Sequence, residues 1–176
     1  KSFIIKKIIF FSVKVKKKPK NLILKIAKKI NKITKKHKVK LIINDYPKLV
    51  EKVKADGCHI GQLDGTITSA RKDIKKKIVG ITCHNSKKLA LEATKGKADY
   101  LAFGSFFKSN LKPNAKKADL KILRWAKKNI KKPIVVIGGI TDKNYEKLIK
   151  AGANYIAISS FIWDNPFLKP EVAIKK

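Results

Sequence analysis

Several polar residues stand directly after short apolar runs, at spacings that would let them act together on a charged substrate. Asn44 and Asp45 follow the run Lys40 to Ile43, Gly61-Gln62-Leu63-Asp64 follow Cys58 to Ile60, and Thr82-Cys83-His84 close the run that starts at Ile78. If these runs are neighbouring parallel strands, Asp45 and Asp64 lie on one rim. They can then share a Mg2+ ion, which keeps several waters and takes its other ligands from substrate phosphates. The same residues also have a structural reading, with Asp45 capping a helix that starts near Pro47 and Asp64 making a turn with Gly65. The stretch Gly104 to Lys117, which holds Ser109 and Lys112, is longer than a connection needs, and such a loop often serves as a lid or anion clamp. Lys112 by itself reads equally as a solvated side chain.

Two further positions point to a phosphate. Ile137-Gly138-Gly139-Ile140-Thr141 places two glycines between an apolar run and a helical pattern, where backbone N–H groups can approach an anion. Ser159-Ser160 close the run that starts at Tyr155. In many barrels the loops after the last two strands form the phosphate site, so a phosphorylated substrate is expected, with a purely structural Gly-Gly turn as the alternative. Among the histidines, His37 is expected to be solvated and His59, alternating with Cys58 and Ile60, to be buried and satisfied. His84 at the rim is the one candidate for acid–base work.

The elements that must position these residues alternate along the chain. Strand-like runs cover Ile8 to Val15, Lys40 to Ile43, Cys58 to Ile60, Ile78 to Thr82, Tyr100 to Phe103, Ile134 to Ile137 and Tyr155 to Ile158, with helical patterns between them. In the clearest helix, Asn21 to Lys36, the residues Leu22, Ile23, Ile26, Ala27, Ile30 and Ile33 form one stripe and lysines cover the rest. The strands are continuously apolar, as in a parallel sheet covered by helices. One αβ turn recurs at Lys54-Ala55-Asp56-Gly57, at Lys97-Ala98-Asp99-Tyr100 and at Ala151 to Tyr155. The expected fold class is α/β: a single domain forming a (β/α)8 TIM barrel, with the candidate residues at several strand ends instead of at one switch point. Seven strands are countable, so the first strand and most of the first helix are expected to be missing at the N-terminus.

Composition narrows the function. The chain has 176 residues, 44 Lys or Arg against 12 Asp or Glu, and a formal charge of +32. Such a charge suggests nucleic acid, but only Arg71 and Arg124 supply the guanidinium fork that reads bases and grips phosphates, and the lysines spread through every helix. They read as solvated faces of a compositionally biased protein. No apolar run approaches the length of a membrane span, and the Lys-flanked start at Ile4 to Phe11 lacks a cleavage site for a signal peptide. Cys58 and Cys83 are too few for a disulfide framework, so a reduced, cytoplasmic protein is expected.

In order and spacing, four segments resemble the thiamine-phosphate synthase family, with its sister branch of thiazole tautomerases. They are Leu41-Ile42-Ile43-Asn44-Asp45, Ala55-Asp56-Gly57-Cys58-His59-Ile60-Gly61-Gln62-Leu63-Asp64, Ala98-Asp99-Tyr100-Leu101-Ala102-Phe103-Gly104 and Val136-Ile137-Gly138-Gly139-Ile140-Thr141. The resemblance runs from about Phe10 to the C-terminus. It implies Mg2+-dependent joining of hydroxymethylpyrimidine diphosphate to a thiazole phosphate. It also implies Asp45 and Asp64 as metal ligands, Asn44 and Lys112 on the diphosphate, Thr82 near the pyrimidine and diphosphate, and Gly139, Ser159 and Ser160 as the thiazole-phosphate cradle. Ser109 belongs to the diphosphate loop, where Leu111 stands in place of a common Thr. Ser12, Lys14 and Lys16 occupy strand positions where the family has Gln, Arg and Lys. The expected partners are small phosphorylated molecules, with no specific nucleic acid and no membrane, and self-association is left open. The rival readings are a thiazole tautomerase using His84, a lysine-rich nucleic-acid-binding protein and an inactive barrel.

Overall fold

The computed structural model describes residues 8–14, 19–108, 115 and 117–176. Along the chain run β1 (Phe10–Val13), α1 (Lys20–Lys36), β2 (Lys40–Asn44), α2 (Lys48–Val53), β3 (Gly57–Ile60), α3 (Ile67–Ile74) and β4 (Ile78–His84). They are followed by α4 (Lys87–Lys95), β5 (Tyr100–Phe103), α5 (Leu120–Asn129), β6 (Ile134–Ile137), α6 (Glu146–Lys150), β7 (Tyr155–Ala157), α7 (Ser160–Trp163) and α8 (Pro170–Ala173). The strands are neighbours in chain order in a seven-stranded sheet, and the registers of β1 with β2, β2 with β3, β5 with β6 and β6 with β7 are parallel. The chain divides into two compact units, residues 1–80 and 81–176. Two boundaries differ from the sequence expectation in ways that matter: β2 runs on to Asn44, and β4 continues past Thr82 to His84.

In the first unit, Leu41, Ile42 and Ile43 of β2 are all buried, which is why this strand reads as an unbroken apolar run. The recurrent αβ turn has a specific task here. The Asp56 carboxylate accepts the Leu41 N–H at 2.8 Å, its own N–H donates to Leu41 O at 2.9 Å, and its carbonyl accepts the Ile78 N–H at 3.0 Å. One residue therefore satisfies backbone groups at the starts of three strands, which would otherwise lose hydrogen bonds on burial.

Helix α1 buries only part of the stripe expected from its sequence, with Ile23 and Ala27 inside and Ile26 and Ile30 half-buried. The buried residues are Ile23, Ala27, Asn31 and Thr34, while Leu22 is 39% and Ile33 60% exposed. The buried face is rotated because Asn31 is needed inside. Its Nδ2 donates to Val53 O at 2.8 Å and Lys54 O at 3.3 Å, carbonyls at the end of α2 that no helical N–H reaches. Thr34 Oγ1 in turn donates to Asn31 O at 3.2 Å. Leaving such carbonyls unpaired costs about 1–3 kcal/mol each, comparable to burying another aliphatic side chain, so the polar contact competes successfully with Ile33 for the interior.

In the second unit Asn154 repeats part of the role of Asp56. Its Oδ1 accepts the Ile134 N–H at 2.8 Å and its N–H donates to Ile134 O at 2.9 Å. Side-chain caps start two of the helices, with Ser86 accepting from the Leu89 N–H at 3.2 Å and Asp119 from the Lys121 N–H at 2.8 Å. The core is built on Leu101, Phe103, Leu123, Val136 and Leu148.

Three helices end on a lysine in the left-handed region: Lys38 (φ 54), Lys54 (φ 57) and Lys97 (φ 62). After each, the next N–H reaches back to close the helix, from Val39 to Thr34 O, Ala55 to Val50 O and Ala98 to Ala93 O. Glycine is usual at this position, and a side chain there costs about 1–2 kcal/mol, partly offset by placing a cation at the negative end of the helix dipole. Replacing Lys38, Lys54 and Lys97 together by Gly is expected to raise the thermal unfolding midpoint by about 4 °C, from a net gain of about 0.5 kcal/mol per site. A fall in the midpoint would show that the cation outweighs the backbone strain.

Candidate active site

In the first unit the register of β1 on β2 pairs Ser12 with Ile42, so Ser12 and Asn44, two residues further on, share one face. The Ser12 hydroxyl donates to Asn44 Oδ1. Lys14 leaves the end of β1 and its Nζ stands 4.0 Å from Asp45 Oδ2, with the Asp45 side chain only 7% exposed. Asp45 takes a left-handed φ of 66°, and its N–H donates to His59 O at 2.9 Å, turning the chain onto the end of β3. The helix that follows starts at Pro47 with no side-chain cap, so the capping alternative for Asp45 does not hold.

Asp64 lies in a turn, closed back on Gly61 and not forward on Gly65. Its N–H donates to Gly61 O at 3.1 Å, closing a turn, and that turn carries its carboxylate back over Gly61. A methyl group at Gly61 would collide with Asp64 Oδ2 and stand 4.0 Å from Asp45 Oδ1. Both carboxylates therefore face the space above one glycine. Among the described residues no group of three or more His, Cys, Asp and Glu side chains could hold a metal ion unaided. A pair of carboxylates is a hard oxygen donor set of the kind that suits Mg2+ and not a zinc site built from protein ligands alone.

His59 pairs in register with Asn44, between buried Cys58 and Ile60. Loss of hydration, reinforced by the Lys14 ammonium and opposed by Asp64, pulls its pKa from 6.5 down to about 4. It is a buried, neutral imidazole, as its sequence pattern implies, and it faces the Lys14 ammonium and Asp64. In Cys58-His59-Ile60 the two apolar residues share one face and the histidine takes the other, the face of Asn44.

In the second unit the register pairs Ile137 with Ala157, and two residues beyond each member stand Gly139 and Ser159. The glycines have φ values of 105° at Gly138 and 60° at Gly139. The segment after β5 is laid against them: the Phe106 N–H donates to Ile137 O at 3.2 Å and the Phe107 N–H to Gly138 O at 3.0 Å. A Cβ at Gly139 would collide with Lys108 O and lie 2.8 Å from Phe107 Cβ. On the other side Asn144 Nδ2 donates to Gly139 O at 3.0 Å while its Oδ1 accepts the Thr141 N–H at 2.9 Å. Phe107 and Asn144 thus frame the turn, and neither carried a motif that singled it out. Ser159 precedes α7 without capping it.

Thr82 is half-buried on β4, next to fully buried Cys83, whose thiol burial pushes up to about 12. Cys83 is therefore protonated at neutral pH and is no nucleophile. His84 is exposed, with φ 51° and its carbonyl accepting the Gly104 N–H at 3.3 Å. Lys16, Ser109 and Lys112 lie outside the described residues.

The state of His59 has a measurable consequence. Because its folded pKa lies below the unfolded value, unfolding takes up a proton at acid pH. The contribution to stability is complete above about pH 6.5 and is lost as pH falls toward 4. Between pH 7 and 5.5 the loss is expected to be about 1 kcal/mol. Urea unfolding of chelator-treated protein checks it, and a His59→Gln variant that loses as much over the same interval would assign the effect elsewhere.

Comparison with known proteins identifies the relatives of this chain. Residues 2–162 match the family described as thiamine monophosphate synthase. The thiamine-phosphate synthase of Pelagibacter ubique (strain HTCC1062) is 50% identical over 171 residues, which span 97% of this chain and 83% of that protein. That of Erythrobacter litoralis (strain HTCC2594) is 40% identical over 142 residues, covering 79% and 67%. Among solved structures, a thiamine phosphate pyrophosphorylase from Pyrococcus furiosus superposes with a TM-score of 0.86 at 28% identity, covering 94% of this chain and 79% of that one. A 3-hexulose-6-phosphate synthase superposes with a TM-score of 0.65 at 17% identity, covering 94% and 84%, and shares the fold. With half of its residues identical to one such synthase and the family pattern running through 2–162, the chain belongs to the thiamine monophosphate synthase family.

Proposed function

We propose that the chain catalyses the Mg2+-dependent coupling of 4-amino-2-methyl-5-hydroxymethylpyrimidine diphosphate with a thiazole phosphate, giving thiamine phosphate and diphosphate. It is a transferase of the thiamine-phosphate synthase type, like its relatives. The observation that carries the proposal is the convergence of Asp45 and Asp64 above Gly61, with Lys14 alongside.

Asp45 and Asp64 would hold the Mg2+, which when bound offsets the negative charge that develops on the departing diphosphate. Asn44, Lys14, Lys16, Ser109 and Lys112 are assigned to donate to the diphosphate oxygens, and Thr82 to lie against the pyrimidine. Gly139, Ser159 and Ser160 are assigned to the phosphate of the thiazole. A neutral His59 does not repel a cation. As the diphosphate leaves, the electron-rich aminopyrimidine spreads the positive charge on its methylene carbon, and the thiazole nitrogen, already unprotonated, attacks it. No proton need be removed from the nucleophile, in keeping with a set of residues rich in phosphate donors and lacking an activated thiol.

Closure as a single-domain (β/α)8 barrel belongs to the same proposal, supported by seven strands in chain order, as do a cytoplasmic location and the lack of a specific nucleic-acid partner. The Arg71 guanidinium donates to the carbonyls of Lys75 at 3.1 Å and Lys77 at 2.6 Å, which favours a structural role over phosphate binding. No helix among the described residues is long and apolar enough to cross a membrane.

Asp45→Asn and Asp64→Asn are each expected to lower coupling at least about 100-fold with the circular dichroism spectrum unchanged. Full turnover in both variants would overturn the metal assignment. Gly139→Ala is expected to raise KM for the thiazole phosphate about tenfold or more while leaving KM for the pyrimidine diphosphate unchanged. Conversion of the thiazole phosphate alone, without any pyrimidine substrate, would replace this activity by the tautomerase one.

A further inference from the structure

We infer that Ser12 is a positioning residue: it fixes the orientation of the Asn44 amide and does not itself bind the diphosphate. A serine hydroxyl has one proton to donate. Here that proton goes to Asn44 Oδ1, from the neighbouring strand and on the same face. A diphosphate offers acceptors only, so Ser12 could donate to it only by releasing Asn44. The contact has a second effect. An asparagine side-chain amide has two orientations of similar energy about its last torsion, one presenting the carbonyl and the other the NH2 group. With Oδ1 turned to Ser12, the two N–H bonds of Asn44 are the ones directed away from β1, and the Lys14 ammonium approaches the next residue, Asp45, at 4.0 Å. An anion arriving there meets donors and not a carbonyl dipole that would repel it.

The inference rests on Asn44 as a diphosphate ligand, and its test separates the two. Inorganic pyrophosphate with Mg2+ is titrated calorimetrically into the protein, Ser12→Ala, Ser12→Thr, Asn44→Ala and the Ser12→Ala/Asn44→Ala double variant. KM for each substrate is measured in parallel. Ser12→Ala is expected to weaken pyrophosphate about fivefold and raise KM for the pyrimidine diphosphate to match, with KM for the thiazole phosphate unchanged. Ser12→Thr, which keeps the hydroxyl, should restore both values. In the Asn44→Ala background the Ser12→Ala change should have no further effect. An equal loss in that background would show Ser12 acting on the ligand directly and overturn the inference alone, as would unchanged binding in Ser12→Ala when Asn44→Ala is weakened. Unchanged binding in Asn44→Ala would overturn the assignment of Asn44 and the inference with it.

Discussion

The register of the strands in the first unit hangs on Asp56. Its carboxylate on the Leu41 N–H and its carbonyl on the Ile78 N–H fix where β2, β3 and β4 begin. In a parallel sheet a slip of one residue turns every side chain to the opposite face. Such a slip in β2 would drive Asn44 toward the apolar side and bring Ile43 out to meet Ser12. In β3 it would exchange His59 for Cys58 or Ile60 beside the carboxylates. The chemistry at the ends of the strands is thus decided at their beginnings, several residues away, by one charged side chain that never approaches a substrate.

The alternation of elements was legible because apolar runs and lysine-rich amphipathic stretches differ so plainly in this chain. The capping reading of Asp45 fails in the structure, where Pro47 stands at the N-cap of α2 and no side chain caps it. Asp64 was ambiguous because the turn that employs its N–H is also what aims its carboxylate. The buried face of α1 was misjudged because hydrophobic periodicity carries no information about carbonyls on another helix, and it is those of Val53 and Lys54 that draw Asn31 inward. His59 is buried as its place between Cys58 and Ile60 implies, and the charges of Lys14 and Asp64 that face it come from other elements, which a local pattern does not report.

The large positive charge acquires a structural meaning along the way. Lysine is tolerated on the outer faces of helices, where its stem covers apolar surface and its head stays in water. In this chain it also occupies helix ends that usually carry glycine. At those ends the lost backbone freedom is set against a favourable charge on the helix dipole, so a substitution that looks disruptive from conformation alone is moderated by electrostatics.

Glycine and lysine together sort the chain's turns into two kinds. At Lys38, Lys54 and Lys97 a left-handed backbone is the whole demand, and a side chain projecting into solvent is an acceptable answer. At Gly61 and Gly139 the missing atom leaves room for something else, a carboxylate in one case and the Lys108 carbonyl in the other. At the first kind of position a lysine is accommodated, whereas at the second even a methyl group would have to displace a neighbour that the turn itself holds in place.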